Sequence, residues 1–156
     1  MTTLAGRRAL VCGSTQGIGR ASAEALAAAG AEVVLLARDR QRLRVVRDAL
    51  PRQGGVVHDT LVADFADPAT LRLAVSEYLG DHPPFQILIN NTGGPPPGAT
   101  LDASEAAFQT AFTMHLLCNQ VLVQAVVPGM RAEGYGRIVN IVSTSVREPI
   151  PGLGVS

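Results

Sequence analysis

The sequence predicts an open, doubly wound α/β fold built around one parallel β-sheet. Three observations support this prediction: short apolar runs alternate with segments of helical periodicity, the connections between them are short, and a glycine-rich turn follows the first run. Strands separated by helices in this way pair in parallel, with right-handed crossovers. We therefore expect a sheet in the strand order 3-2-1-4-5.

Each predicted strand is an apolar run of the kind found in strands that are buried on both faces. The strands are expected at residues 8–12, 32–37, 56–62, 85–90 and 137–142. The helices between them are expected at residues 17–29, 40–50, 68–79 and 104–127. Asp39 and Asp67 are in position to cap the second and third helices, and Pro68 favours the first turn of the third. Pro128 and Gly129 are expected to end or kink the fourth helix.

The composition is that of one folded domain spanning residues 1–156. Apolar residues make up 47% of the chain and charged residues 17%, and the net charge is zero. Because the net charge is zero, no broad basic face indicates nucleic-acid binding, and the apolar runs are too short to predict a membrane span. The start of the chain does not resemble a secretory signal, which favours a cytoplasmic protein. Cys12 and Cys118 are accordingly expected to be reduced core residues.

The turn after the first predicted strand has the features of a phosphate-binding loop. It reads Gly13-Ser14-Thr15-Gln16-Gly17-Ile18-Gly19 and opens a helix. Gly13 permits a tight turn, Gly17 lets the backbone approach a pyrophosphate, and Gly19 permits close packing of the helix on the sheet. The helix N-terminus adds N–H groups and a partial positive charge. These seven residues predict a Rossmann-type nucleotide site, with an ordinary helix start as the alternative.

The residues after the second predicted strand bear on the choice of nucleotide. An enzyme that uses NAD usually places an acidic residue there, on the ribose 2′-hydroxyl. This sequence has Ala37-Arg38 instead. A guanidinium at Arg38 could pair with a 2′-phosphate, which predicts a preference for NADP(H) over NAD(H). A solvated arginine is the alternative, and the neighbouring Asp39 argues against the preference unless helix capping engages it.

Three further motifs resemble those of the short-chain dehydrogenase/reductase family. Asp64 and Phe65 follow the third strand, where the family has an acidic residue that faces the adenine amino group. The segment Asn90-Asn91-Thr92-Gly93 is similar to the Asn-Asn-Ala-Gly signature of the family, with Thr in the Ala position. Residues 136–143 resemble its fifth strand and the serine that ends it. The resemblance, which includes the glycine turn, extends over nearly the whole chain.

The resemblance implies a function and a set of cofactor contacts. Family members transfer a hydride between a nicotinamide and a carbonyl or alcohol of a small molecule. The residues implied to contact the cofactor, beyond the glycine turn and Arg38, are Asp64, Phe65, Asn91 and Gly93. A catalytically inactive nucleotide-binding redox sensor, or a structural subunit, is the alternative function.

The catalytic residues of the family are matched only in part. The family uses Asn, Ser, Tyr and Lys: the serine orients the substrate oxygen, the tyrosine transfers the proton, and the lysine lowers the tyrosine pKa. Ser143 matches the serine, and His115 lies at the position of the helix Asn, where a core histidine is the alternative. The tyrosine position falls near Ser156, and the chain contains no lysine. The proton donor therefore stays open.

Two loop segments resemble one divergent branch of the family, described as 3-oxoacyl-carrier-protein reductase-like. These are residues 91–98 and 148–151, both rich in proline. In that branch a serine can replace the tyrosine, which suits Ser156. Since the sixth and seventh strands of the family fold have no counterpart here, we expect a fragment of a longer single-domain chain.

The resemblance also implies self-association. In the family the helix at 104–127 packs against its twin across a twofold axis, which implies a homodimer or homotetramer. The apolar side chains expected at this interface are Phe108, Phe112, Leu116, Val123 and Val127.

Overall fold

A computed structural model describes residues 3–156. The five strands are β1 (Arg8–Cys12), β2 (Glu32–Ala37), β3 (Asp59–Val62), β4 (Ile87–Asn90) and β5 (Arg137–Asn140). The helices are α1 (Gly17–Ala28), α2 (Arg40–Ala49), α3 (Pro68–Asp81), α4 (Glu105–Phe112) and α5 (Cys118–Ala132), with a π-helical segment, Thr113–Leu117, between α4 and α5. Asp39 and Asp67 cap α2 and α3, and Pro68 is the first residue of α3, as expected.

The strands form one parallel sheet in the order β3-β2-β1-β4-β5, which confirms the predicted fold class and strand order. Successive strand residues point to opposite faces, so the core has two halves. On one face Ala9, Val11 and Val33 pack with side chains of α1 and α2. On the other, Leu10 and Val34 pack with side chains of α3 and α5. This is the doubly wound arrangement. Because all five strands are parallel, their carboxyl ends lie at the same edge of the sheet.

The third strand is shorter than predicted. Residues 56–58 were expected to belong to it, but β3 begins at Asp59 and Val57 is 76% exposed. His58 is buried instead, and both of its ring nitrogens have partners: Nδ1 lies 3.1 Å from the backbone N of Val33 and Nε2 lies 2.9 Å from the carbonyl of Pro51. A side chain therefore replaces the strand pairing that residues 56–58 would have made.

The predicted helix at 104–127 is interrupted once and extends further than expected. The π-helical segment separates α4 from α5, and α5 continues past Pro128 to Ala132. A proline inside a helix removes one backbone hydrogen bond but need not end the helix when packing supports it. Here a Cβ on Gly129 would overlap with Cβ of Pro84. The Pro-Gly pair thus lets the helix lie directly against the chain before β4.

Ile138 and Val139 of the edge strand β5, and Phe108 and Phe112 of α4, are exposed apolar side chains. All four residues of the edge strand β5 are exposed, whereas β1 is fully buried. By length and composition alone, the continuous helical stretch Glu105–Ala132 could cross a membrane, since an 18-residue window within it has a mean hydropathy of 1.3. The buried side chains of α5 belong to the core, as in the core helix of a globular protein. Cys12 and Cys118 are buried free thiols in the same core, as predicted.

Candidate functional site

A cleft of about 690 Å³ lies along the carboxyl ends of β1, β2, β3 and β4. Open α/β sheets bind ligands at this edge, where the strand order reverses on either side of β1. The residues predicted to contact a cofactor that line it are Gly13, Thr15, Gln16, Gly17, Ile18, Arg38, Asp64, Phe65, Asn91 and Gly93. The fold thus brings four separate loops of the sequence into one cavity.

The glycine turn is packed too closely for side chains at two of its positions. A Cβ on Gly13 would lie 2.6 Å from Nδ2 of Asn91, and one on Gly19 would overlap with the carbonyl oxygen of Gly13. Asn91, which directly follows the neighbouring strand β4, fixes the turn in place, since its Nδ2 donates to the carbonyls of Cys12 and Gly13 at 3.3 and 3.4 Å. Gly17 has a φ of +55° with no atom within 4 Å of a Cβ there. That position leaves open space towards the cleft.

The N-terminus of α1 differs from those of α2, α3 and α4. Those three helices are capped by the side chains of Asp39, Asp67 and Ser104, which accept backbone N–H groups of the first turn. Gln16 precedes α1 in an extended conformation, and its side chain makes no such hydrogen bond. The first N–H groups of a helix need acceptors and carry the positive end of the helix dipole. An anion in the cleft would supply the acceptor that this helix lacks.

Two predicted members of the glycine turn lie behind the cleft. Ser14 is fully buried, and its hydroxyl donates to the carbonyl of Leu36 at 3.3 Å, which ties the turn to β2. Gly19 is buried against the turn itself. The structure therefore gives both residues a packing contact and exposes their neighbours Thr15, Gln16 and Ile18 to the cavity.

Charged side chains line the cleft beyond β2 and β3. Arg38 is exposed there, together with Asp39 and Arg42. Asp64 is half-buried, and its carboxylate accepts the backbone N–H of Ala66 at 3.0 Å, which shapes the turn after β3. Arg42 was not among the predicted site residues. Arg42 could have been predicted to line the cleft from its position three residues after Asp39, in the first turn of a capped helix.

A pair of asparagines joins the ends of β4 and β5. Asn90 is paired in register with Asn140, and its Nδ2 donates to Oδ1 of Asn140 at 2.8 Å. Within residues 3–156, Oδ1 of Asn90 is buried without a hydrogen-bond partner. Sequence reasoning missed this cross-strand pair, because two asparagines fifty residues apart carry no local signal.

The candidate catalytic residues are not among those that line the cleft. Ser143 follows β5, half-buried, and its Oγ lies 2.6 Å from Oγ of Ser145, which was not predicted. Oγ of Ser145 is in turn 3.4 Å from Oγ of Ser156, so the three hydroxyls form a chain. His115 lies in the π-helical segment, where burial lowers its pKa and a hydrogen bond with the Gly93 backbone opposes that shift.

The fold and the position of the cleft define a doubly wound α/β domain with a site at the carboxyl edge of its sheet. Comparison with known proteins then assigns the family. The model of the short chain dehydrogenase family matches residues 7–155. The chain belongs to this family, as the sequence motifs indicated.

Individual relatives agree with this assignment. The chain is 35% identical to the human protein named inactive hydroxysteroid dehydrogenase-like protein 1 over 95% of its own length and 45% of that protein. It is 32% identical to the ketoacyl reductase HetN of a Nostoc species, over 96% of the chain and 52% of the relative. The crystal structure of L-sorbose reductase from Gluconobacter frateurii, complexed with NADPH and L-sorbose, superposes with a TM-score of 0.90 at 29% identity, covering 99% of this chain and 59% of that one. The chain thus spans about half the length of the relatives that it matches.

Proposed function

We propose that the chain binds NADP(H) in the cleft and forms the nucleotide-binding part of an oxidoreductase that reduces a carbonyl or oxidises an alcohol of a small molecule. The observation that carries this proposal is the glycine turn, whose uncapped helix N-terminus opens into the same cavity as Arg38. When bound, the nicotinamide supplies or accepts the hydride.

The residues that line the cleft fit a dinucleotide. The first-turn N–H groups of α1 and the open space at Gly17 suit a pyrophosphate, because backbone can approach it without a side chain between. Arg38 suits a 2′-phosphate, and the half-buried Asp64 suits an amino group of the adenine. L-sorbose reductase binds NADPH, which supports the same class of cofactor here.

The preference for NADP is tested by measuring the affinities of NADPH and NADH by titration calorimetry. A charge-assisted phosphate contact contributes about 1.5–3 kcal/mol, so Arg38→Ala should weaken NADPH by roughly one to two decades and leave NADH unchanged. Arg44→Ala is the matched control, because Arg44 is exposed on α2 and does not line the cleft. Equal binding of both nucleotides to the unmodified protein would refute the preference.

For the chemical step we propose that Ser143 orients the substrate oxygen. The hydroxyl chain Ser143–Ser145–Ser156 leads from it to the position where the family has tyrosine. Serine hydroxyls with no basic partner orient a substrate better than they donate a proton. Besides Ser156 at the tyrosine position, His115 is the other candidate for the proton donor. Since burial lowers its pKa, its protonated form is populated mainly at acidic pH, and a reduction that depends on it should accelerate as the pH falls.

The 156-residue chain is expected to bind NADPH but to reduce ketones poorly, because a missing general acid costs about 10²–10⁴-fold in rate. The test follows NADPH consumption with a panel of ketones, for the unmodified chain and for His115→Ala and Ser156→Ala. Turnover that only His115→Ala removes would make His115 the donor. Robust turnover unaffected by His115→Ala would contradict this part of the proposal.

The second candidate function is a nucleotide-binding protein without catalysis. The observation that favours it is the similarity to a human relative that is named inactive, at 35% identity over 95% of the chain. A protein that extends beyond Ser156 with a Tyr-x-x-x-Lys segment and turns over a carbonyl would exclude it. NADPH binding in such a protein without any turnover would favour it.

We also infer a homodimer or homotetramer through the α4 side of the molecule. Phe108, Phe112 and Leu116 are 44%, 55% and 53% exposed, and their spacing of four residues places them along one helical face. Val123 and Val127, which were expected to be exposed, are partly buried, and Val123 packs against the core. Light scattering at micromolar concentration should therefore give a multimer that Phe112→Asp dissociates. A monomeric unmodified protein would count against the interface.

A further inference from the structure

The first turn of α2 brings a second arginine to the part of the cleft that contains Arg38. Arg38, Asp39 and Arg42 all line the cavity. Oδ1 of Asp39 accepts the backbone N–H of Arg42 at 3.0 Å, and Oδ2 of Asp39 lies 3.5 Å from Nε of Arg42. Both carboxylate oxygens of Asp39 thus have a partner on Arg42.

These contacts decide what Asp39 can do to a nucleotide. A carboxylate after the second strand accepts hydrogen bonds from ribose hydroxyls and repels a 2′-phosphate. The N-cap contact fixes one oxygen of Asp39 on the helix backbone. The guanidinium of Arg42 balances its charge, so Arg38, Asp39 and Arg42, the charged side chains that the β2–α2 turn brings to the rim of the cleft, sum to one net positive charge.

The strength of the ion pair limits how it can act. The side chains of Arg42 and Asp39 are 66% and 47% exposed, and exposed ion pairs add little stability. The guanidinium is therefore not locked onto Asp39, and it can reach an anion in the cleft as well. A 2′-phosphate would compete for it with two negative charges, and Asp39 would keep its backbone partner.

We infer that Arg42 is a second specificity-determining residue of the nucleotide site. It acts in two ways, by donating to the 2′-phosphate and by neutralising Asp39. This inference rests on the proposed function, since it assumes that the adenosine part of NADP(H) lies at this rim.

The test uses the probes 2′,5′-ADP and 5′-AMP, which differ only in the 2′-phosphate. Titration calorimetry should show that Arg42→Ala raises the Kd of 2′,5′-ADP by about tenfold and leaves that of 5′-AMP unchanged. Arg44→Ala, on the same exposed helix outside the cleft, should change neither Kd. Far-UV circular dichroism checks that each variant is folded.

A second arm separates the two roles of Arg42. Asp39→Asn keeps a capping side chain and removes the charge. In that background Arg42→Ala should cost less affinity for 2′,5′-ADP than it does in the unmodified protein, because residue 39 then carries no negative charge that would be left unpaired beside the phosphate. An equal loss in both backgrounds would overturn the role through Asp39.

The outcomes also separate this inference from the proposed function. If the unmodified chain binds neither probe, the proposed nucleotide site is wrong and this inference falls with it. If it binds 2′,5′-ADP more tightly than 5′-AMP and Arg42→Ala leaves that difference intact, only the inference about Arg42 is overturned.

Discussion

The glycine turn allows a decisive test of close packing at the candidate site. Gly19 lies in the first turn of α1 and Gly80 in the last turn of α3, both with ordinary helical backbone angles. At Gly80 a Cβ would meet no atom within 4 Å, whereas at Gly19 it would overlap with the carbonyl oxygen of Gly13 and lie 2.8 Å from Nδ2 of Asn91. Alanine should therefore have opposite effects at the two positions.

The magnitudes follow from two competing terms. Helix propensity favours alanine over glycine by roughly 0.8–1 kcal/mol in a helix interior. Forcing a methyl group into a closely packed contact costs about 1–3 kcal/mol, and at Gly19 the upper part of that range, about 2–3 kcal/mol, applies because the neighbour is backbone that cannot rotate away. We expect Gly19→Ala to lower the free energy of unfolding by about 1–2 kcal/mol. Gly80→Ala should raise it by about 0.5–1 kcal/mol.

Urea unfolding followed by far-UV circular dichroism measures both changes, since the chain has no tryptophan for fluorescence. Nucleotide titration of Gly19→Ala should also show weaker binding, because the Gly13 carbonyl must move, while Gly80→Ala should bind as the unmodified protein does. A Gly19→Ala variant as stable as the unmodified protein, or more so, would refute the reasoning from packing. It would mean that the turn can separate from α1 without cost.

Three further predictions concern single polar contacts. Asp67→Ala should lower the urea midpoint near neutral pH, because hydrogen bonds from Thr70 and Ala69 lower the pKa of this carboxyl below 3.8. A carboxyl whose pKa is lowered by folding stabilises the fold at pH values above its ordinary pKa. The difference in urea midpoint between Asp67→Ala and the unmodified protein should therefore shrink as the pH falls through the lowered pKa, and a difference that stays constant would contradict this prediction. His58→Leu should cost about 1–3 kcal/mol in urea unfolding, because it leaves the buried N–H of Val33 without its acceptor. Tyr78→Phe should cost about 1 kcal/mol, since the hydroxyl joins Arg8 to Asp59; an unchanged midpoint in either variant would show that the lost contacts contribute nothing.

The elements that sequence predicted well are those whose signals are local. Asp39 and Asp67 were recognised as caps from their position before an apolar periodic segment, and both accept first-turn N–H groups in the structure. Strands β1 and β2 have the predicted bounds, because each contains a continuous run of buried apolar residues, 9–12 in β1 and 33–36 in β2. Where a residue and its neighbours in the chain specify the conformation, a single sequence is enough to predict it.

The elements that sequence missed depend on contacts between distant segments. The start of β3 is set by His58, whose Nδ1 accepts a hydrogen bond from the backbone N–H of Val33 in β2. The helix passes through Pro128 because Gly129 packs on Pro84, more than forty residues earlier. The π-helical segment around His115 has no local sequence signal of this kind. The candidate site shares this division: the glycine turn was predicted, whereas Arg42, Ser145 and the Asn90–Asn140 pair were not.

The two ends of the sheet differ in how fully their polar groups are paired. At the amino end, the buried guanidinium of Arg8 contacts Glu32 at 2.7 Å, the Tyr78 hydroxyl at 3.1 Å and the carbonyl of Pro83. The Tyr78 hydroxyl in turn donates to Asp59, and burial together with that carboxylate raises the pKa of Tyr78. Such a network is satisfied by the chain itself and stabilises the fold.

At the carboxyl end, polar groups of the described residues lack partners of their own. α1 begins without a side-chain cap, and Arg38 is exposed at the rim of the cleft. Helix ends without partners are costly, and a fold retains them where another molecule can supply the missing contact. The same sheet thus has one end built for stability and one that leaves contacts for a ligand, and a phosphate-bearing nucleotide matches the N–H groups and the guanidinium found there.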